Sequence, residues 1–562
     1  MCGLLALAAV GCDDKLVVEN TNQPDRDRAL ARPTDVENLV AGQYRVIHNA
    51  WWNVTNLQAQ VAVMGMESFS TNANFGMGVR SGVPRSLVDN GRGNAADTFG
   101  AYLPFNQAGR AAALALEAFD EPGFTFFPTS EPQRHRGRAW AYFNMALANG
   151  YLALVYDSAA VIFAGGDPEA NNPLMGYSAV MDSALIQLDS VIAIASMTPN
   201  PTAIPTTWFG GVALTMGSTG TLVQLARTFK ARFRAGVART PAERAAVDWV
   251  AVIADATAGV TGDVSQTMAN VTGGWFYRPM QMDLYQSWHQ VWQGLIGMGD
   301  SSGAYDAWLN TPRALKAPFV VVSADRRLPS GVTRAEQNTS SGCGASSCAQ
   351  PLATAPYPYF RNRPAGQDVG VDGLFHSFYD FYRFQTFFSP GNRNGPVIMF
   401  NRAEMDLLAA EGHIRAGNFA AAATLIDNSR VARGALPALS GVIASINDVV
   451  PGGVSCVPRV PTGATSPLAE TPTATACGNI MEAMKWEKRM EAAFINPGGY
   501  WTDARGWGDL PFNTPIQFPV PYTELDSRRQ PIYNVPTSGG GATTATGAER
   551  LSNSSSNYGY GN

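Results

Sequence analysis

The sequence predicts a mainly α fold built from helical hairpins, and the stretch 401–433 shows the pattern most fully. Each of its two halves has apolar residues three or four positions apart, which places them on one face of a helix. Gly417 and Asn418 lie between the halves, and both tolerate the left-handed backbone that ends a helix. The composition agrees. Hydrophobic residues make up 46% of the 562 residues, enough to fill a large core, while 56 glycines and 36 prolines imply long loops between helices.

Stripes of the same spacing predict further hairpins near 134–195, 219–258 and 479–494. One helix has a complete start signal, in which Thr240 caps, Pro241 takes the first helical position and Glu243 closes the capping box. A hairpin cannot bury its own apolar face, so we expect the hairpins to stack as in tetratricopeptide-type solenoids, with long insertions between them. For 401–433 taken alone, any antiparallel helical hairpin is the alternative.

The beginning of the chain has the features of a lipoprotein signal. An apolar run ends in residues 9–12 (AVGC), which resemble a bacterial lipobox, where small residues precede a cysteine that is lipidated after cleavage. This predicts a truncated signal peptide at 1–11, a lipidated Cys12 and a tether at 12–33. An ordinary hydrophobic N-terminus with a free Cys12 is the alternative.

The remaining chain divides by composition. We expect one folded domain at 34–535, with a loop-rich, aromatic-rich insertion at 260–400. Residues 536–562 are mostly Gly, Ser, Thr and Asn, which predicts a low-complexity tail. Four cysteines form two local pairs, Cys343 with Cys348 and Cys456 with Cys477, and each pair is expected to form a disulfide. A zinc site is the less favoured alternative, because no histidine lies near either pair.

Charge and motifs exclude several classes of function. The net charge of -5 provides no basic surface for nucleic acid. The H-E-x-x-H and G-x-x-x-x-G-K-[ST] motifs are absent from the sequence. The five histidines are scattered along the chain and predict no metal site, at positions 48, 135, 289, 376 and 413.

The C-terminal part contains the motifs that resemble a known family. Residues 486–491 (WEKRME) are followed by 499–508 (GYWTDARGWG) and 518–525 (FPVPYTEL). Together with the 401–433 hairpin and residues 41–44 (AGQY), this order resembles that of SusD/RagB-family outer-membrane lipoproteins. Two departures affect local turn geometry: Ala504 stands where leucine is common, and 496–499 (NPGG) replaces the usual glutamate-glycine.

The resemblance implies a non-enzymatic binding protein without cofactor, metal or catalytic residues. Such proteins are lipid-anchored in the outer membrane, face the cell exterior and lie over a SusC-like TonB-dependent barrel, to which they deliver oligosaccharides or peptides. Alternating charges near the C-terminal turn are expected to form a structural network of salt bridges and caps, at Glu487, Arg489, Glu491, Asp503 and Arg505. The alternative is that two of these carboxylates act as a catalytic acid pair, but no nucleophile or metal ligand lies nearby in sequence.

A sugar-binding surface needs aromatic rings for the apolar faces of sugars and polar side chains for their hydroxyls. The loop-rich regions 65–105 and 270–310 contain most residues of these kinds. We select as ligand-binding candidates Trp275, Tyr277, Trp288, Trp292, Asn72, Asn74 and Arg80. Core packing is the alternative for each tryptophan, since tryptophans are highly buried on average. Two rival functions are a glycoside hydrolase and a tetratricopeptide-type scaffold that binds proteins only.

Overall fold

The computed structural model describes residues 30, 32–53, 57–71, 77–82, 85, 88, 90–91, 95–121, 130–166, 172–269, 271–277, 289–312, 315–340, 358–364, 376–384, 394–462, 474–511, 514–533 and 558. Several predicted features lie outside these residues, namely the signal peptide, Cys12, the Cys343–Cys348 pair, Asn72, Asn74 and Trp288.

The described chain is mainly helical, which confirms the predicted fold class. In chain order its α-helices are α1 (Pro33–Ala41), α2 (Gln43–Trp52), α3 (Leu57–Met64), α4 (Met77–Ser81), α5 (Ala95–Asp120), α6 (Ser130–Val155), α7 (Tyr177–Ala195), α8 (Thr221–Gly236), α9 (Pro241–Ala245), α10 (Trp249–Thr257), α11 (Gln293–Ile296), α12 (Ala304–Asn310), α13 (Arg334–Ser340), α14 (Arg402–Arg415), α15 (Phe419–Arg430), α16 (Ile480–Ala492), α17 (Gly499–Trp507) and α18 (Tyr522–Ser527). Helices therefore lie at all the predicted hairpin positions.

The strands are short and form two-stranded antiparallel pairs. They are β1 (Ser158–Ala160) with β2 (Leu174–Gly176), β3 (Val264–Ala269) with β6 (Asn394–Phe400), β4 (Phe360–Asn362) with β5 (Tyr379–Phe381), and β7 (Arg459–Thr462) with β8 (Ala474–Cys477). Pairs of this size do not form a separate β-layer. They connect loop segments that lie on the helical scaffold.

The helices pack in sequence, so that each hairpin covers the apolar face of the next. Helix α5 packs on α6, α6 packs on α7, and α7 packs on α8. Helix α8 then packs on α10, α10 packs on α14, and α14 packs on both α15 and α16. Close approach depends on small residues: a β-carbon at Gly150 of α6 would lie 2.1 Å from the ring of Phe233 on α8. Such contacts produce one large apolar core, with a smaller second core around α14–α16.

The structure confirms one predicted helix cap and differs from the sequence prediction at one helix. Thr240 Oγ1 accepts a hydrogen bond from Glu243 N at 3.2 Å, which confirms the predicted cap of α9. By contrast, α5 begins at Ala95, inside the region expected to be a loop, and Pro104 lies within it. Tyr558, from the predicted low-complexity tail, is buried and donates to Glu482 Oε2 at 2.7 Å.

By length and composition, one described helix could span a membrane, Tyr177–Ala195 (α7). Buried helices of a protein core meet the same criterion, and α7 packs against α6 and α8.

Candidate functional site

The residues that carry the family resemblance lie in buried ion-pair clusters. Arg327 is the centre of one, with Nη1 2.6 Å from Glu487 Oε2 and 3.2 Å from Glu491 Oε1, and Nη2 2.7 Å from Asp325 Oδ2. All four side chains are fully buried, and Trp486 Nε1 donates to Asp325 at 2.8 Å. We call Asp325, Arg327, Glu487 and Glu491 the Arg327 cluster. Its ion pairs join α16 to the loop before α13.

A second cluster centres on Arg244 of α9. Its guanidinium is 2.6 Å from Glu411 and 3.1 Å from Asp503, and Asp503 also pairs with Lys488 at 2.7 Å. Burial, the largest single effect, would raise the pKa of Glu411, but the charge and hydrogen bond of Arg244 act together with the charges of Arg415 and Lys488 and lower that pKa to about 2. Glu411 is therefore ionised at neutral pH, and the pairs join α9, α14, α16 and α17.

The other two predicted network residues also bind other parts of the chain. Arg489 pairs with Asp509 at 2.6 Å, and Arg505 donates to the carbonyls of Ile516 at 2.6 Å and Gly236 at 2.8 Å. All five residues of the predicted network thus make ion pairs or backbone hydrogen bonds inside the scaffold. Some of their partners are close in sequence, such as Asp509 for Arg489, and others are distant, such as Gly236 for Arg505.

These carboxylates do not form an accessible acid pair. Ser429 Oγ lies 2.8 Å from Glu487 Oε2 and 3.1 Å from Glu491 Oε1, and neither glutamate is exposed. A substrate at the surface cannot reach them. Over the described ranges, no group of three or more His, Cys, Asp or Glu residues could hold a metal ion.

Residues 299–303 read G-D-S-S-G and match the G-x-S-x-G pattern of serine hydrolases. In those enzymes the serine occupies a sharp turn from a strand into a helix, next to a histidine base. Here the stretch follows a 3₁₀ turn, Ser301 Oγ donates to Val322 O at 3.0 Å, and Asp300 accepts from Tyr305 N at 3.2 Å. The pattern marks the start of α12, not a nucleophile.

A tight loop at 271–277 presents aromatic side chains at the surface. Ala269 N donates to Trp275 O at 2.8 Å, which closes the loop at its base. Gly273 has a φ of 77°, and a β-carbon at Gly274 would lie 2.3 Å from Ala269 O, so this shape requires both glycines. Trp275 and Phe276 are the half-buried aromatic residues of this loop.

The polar side of α2 holds this loop in place. Arg45 Nη1 donates to Gly273 O at 2.5 Å, and Asn49 bonds both Gly274 O at 3.0 Å and Phe276 N at 2.9 Å. His48 Nε2 lies 2.9 Å from Phe276 O. Burial lowers the pKa of His48 to about 4, so its imidazole is neutral at pH 7 and donates Nε2–H to this carbonyl. The loop is thus held at several backbone positions.

The ring of Trp275 packs against two rings of α2. Its centroid lies 5.6 Å from that of Tyr44 and 5.3 Å from that of His48, the latter edge to face. Trp275, Phe276, Arg45 and Asn49 together form what we call the aromatic ledge. It combines apolar rings with exposed or half-buried polar groups, the composition that sugar recognition requires.

Comparisons with solved structures decide the fold. A SusD homologue from Parabacteroides distasonis matches with a TM-score of 0.50 and 13% identity, covering 83% of this chain and 83% of that chain. A SusD superfamily protein from Bacteroides vulgatus matches with a TM-score of 0.50 and 11% identity, covering 90% and 94% respectively. The chain has the SusD fold. No family model and no curated protein sequence matches it.

Within this SusD fold, three predicted ligand residues lie in the core. Tyr277 is buried and donates to Phe494 O at 2.6 Å, and Trp292 is buried with its ring 5.8 Å from that of Phe69. Arg80 is buried with its guanidinium 5.6 Å from the Phe518 ring centroid. Their assignment as ligand contacts is corrected to core packing, because a surface ligand cannot reach them. Of the predicted ligand residues that the structure describes, Trp275 is the partly exposed one.

The sequence prediction did not include the other ledge residues. Arg45, His48 and Asn49 are three and four positions apart on α2, so their common polar face was detectable from the sequence. Phe276 stands beside Trp275 and was also detectable. The hydrogen bonds that join α2 to the 271–277 loop connect residues more than 220 positions apart. No local sequence pattern indicates such a contact.

The cysteine pair near the C-terminal helices is joined in the structure. Cys456 and Cys477 form a disulfide with an S–S distance of 2.03 Å. It closes the loop between α15 and α16, away from the aromatic ledge in sequence.

Proposed function

We propose that this protein binds a glycan at the cell surface and delivers it to a SusC-like TonB-dependent outer-membrane barrel. The observation that carries the proposal is the aromatic ledge on a SusD fold. Lipidation of Cys12 at the AVGC motif would anchor the protein to the outer membrane, and residues 12–33 would serve as its tether.

The chemistry of the ledge supports a sugar ligand. A sugar ring has apolar C–H faces that pack on aromatic rings and hydroxyls that need donors and acceptors. Trp275 offers the ring, while Arg45 and Asn49 offer polar groups beside it. Because the 271–277 loop is already bonded to α2, binding would cost little conformational entropy.

The rival functions have less support from the described residues. A glycoside hydrolase needs two carboxyl groups that a substrate can reach, and the pair considered from the sequence, Glu487 and Glu491, cannot serve because both are sealed in the core. A scaffold that binds proteins only would leave the ledge without a ligand. A peptide ligand is the closer alternative, since peptides also use aromatic and polar contacts.

Glycan binding is tested with an array carrying α- and β-glucans, mannans, xylans, fructans and galactans, followed by calorimetric titration of the glycan that binds most tightly. Trp275→Ala is expected to lower affinity by about 10-fold or more, since each 1.4 kcal/mol is tenfold and an aromatic contact contributes energy of that order. Trp275→Phe retains a ring and should lose less.

The matched control is Val250→Ala on α10, which removes most of an apolar side chain that is 80% exposed and is not part of the ledge. Its affinity should equal that of the wild type. No binding to any array glycan, together with saturable binding of a casein-peptide mixture, would replace the glycan by a peptide ligand. Hydrolysis of the bound glycan would replace the binding function by an enzymatic one.

A further inference from the structure

We propose that a cleft beside α5 is a second carbohydrate contact, which holds one sugar ring of a glycan chain. The cleft has a volume of about 220 Å³ and is lined by Arg110, Ala113, Leu114, Glu117, Val161, Ile162, Phe163, Gly166 and Asn172. This volume is below the roughly 300–1,000 Å³ of sites that enclose a whole drug-sized ligand. It therefore suits a single ring of a longer chain. The inference rests on the proposed function.

Phe163 provides the stacking surface of the cleft. Its side chain is 49% exposed, whereas most described aromatic residues are buried in the core. Gly166 lies against one side of the ring, since a β-carbon built there would be 2.9 Å from Phe163 Cε2. The exposed part of the ring remains for an apolar sugar face. This half-exposed ring is the aromatic part of the cleft that a ligand can reach.

Two buried amide side chains hold the backbone next to the Phe163 ring. Asn149 of α6 bonds both Ile162 N at 3.0 Å and Ile162 O at 2.9 Å, and Gln187 of α7 donates to the same carbonyl at 2.8 Å. Glu117 of α5 accepts from Gly165 N at 2.7 Å on the other side of Phe163. The loop is thus fixed at both ends by three helices. A site that is formed before binding avoids the entropy cost of ordering it.

Polar side chains that line the cleft suit the hydroxyls of the bound sugar ring. Arg110 and Leu114 lie one turn apart on α5, with Glu117 on the same face. Within the described part of the chain, the Arg110 guanidinium has no hydrogen bond or ion pair, although it is half-buried and has five N–H donors. Asn172 also lines the cleft, and its backbone carbonyl accepts from Arg528 Nη1 at 2.6 Å. The cleft therefore combines an exposed aromatic ring with the donors of the Arg110 guanidinium.

The test uses the whole protein and the array glycan that the wild type binds most tightly. Phe163→Ala is expected to lower affinity by about 10-fold, and Arg110→Gln should lower it as well. Ile186→Ala, which removes a 66% exposed side chain from α7, is the matched control and should bind like the wild type. Thermal unfolding of each variant confirms that the fold is retained. Phe163→Tyr keeps the ring and should restore most of the affinity.

The outcomes separate this inference from the proposed function. If the wild type binds but Phe163→Ala and Arg110→Gln bind within twofold of it, the cleft is not a contact and the proposed function stands. If no array glycan binds the wild type, the proposed function fails and the inference fails with it. If Phe163→Ala weakens binding and Trp275→Ala does not, the cleft is supported and the ledge assignment is overturned.

Discussion

Replacing Arg327 with methionine is expected to lower the free energy of unfolding by about 3–5 kcal/mol, the cost of breaking a buried ion pair by removing one partner. The substitution removes the cation that three buried carboxylates share, those of Asp325, Glu487 and Glu491. Burial already raises the pKa of Glu487 above its usual value, although the charge of Arg327 opposes this shift. Without the arginine, Asp325 and Glu487 lose their close ion-pair partner and would have to take up protons or remain as poorly compensated charges in the core, whereas Glu491 keeps its pair with Arg383.

Urea denaturation of the wild type and the variant at pH 7 measures this effect. Arg138→Met is the matched control, because Arg138 pairs with the 41% exposed side chain of Asp120 at 2.7 Å. The free energy of unfolding of this control should fall by less than about 1 kcal/mol, as for surface ion pairs in general. If Arg327→Met costs no more than the control, the Arg327 cluster does not hold α16 to the rest of the scaffold.

Replacing Trp501 with alanine should also destabilise the protein by about 3–5 kcal/mol, the usual cost of removing a large buried aromatic side chain. Trp501 of α17 is fully buried, and its Nε1 donates to Pro515 O at 2.8 Å. The Arg505 guanidinium lies 4.5 Å from its ring centroid. The backbone around it is tightly packed, since a β-carbon at Gly65 would be 2.5 Å from Trp501 N. The scaffold therefore has little room to collapse into the cavity.

The same urea titration measures this loss, and Trp501→Phe separates its causes. Phenylalanine keeps most of the apolar contact but leaves the Pro515 carbonyl without its donor, so its loss should be smaller than that of alanine. Equal losses for the two variants would show that the hydrogen bond, not the packing, accounts for the effect of Trp501.

The hairpins were predictable because their signal is local. Apolar spacing within 401–433 and the cap at Thr240 each depend on residues close in sequence, and both correspond to helices in the structure. Helix α5 was missed because a stretch rich in glycine precedes Ala95 and Pro104 interrupts the pattern. Proline rarely occurs in the interior of a helix, so the local signal indicated a loop there.

The candidate site was harder to predict, because burial depends on contacts between distant residues. Trp275 and Trp292 look alike in sequence, yet one is partly exposed and the other is in the core. The partners of the charged residues are also distant: Arg327 meets Glu487 across 160 positions. Phe163 has no aromatic neighbours in sequence to indicate a binding surface. Its role emerges only when α5, α6 and α7 surround it.

The most direct test of the account is affinity purification of the tagged protein, expressed from its own gene, from detergent-solubilised outer membranes of its host. We expect a TonB-dependent barrel to co-purify in about equimolar amount, and the array-selected glycan to bind the complex. Cys12→Ala should move the protein out of the membrane fraction while leaving its glycan affinity in solution unchanged. Recovery of the protein without a barrel, and equal membrane association of Cys12→Ala, would contradict delivery of a glycan to an outer-membrane transporter.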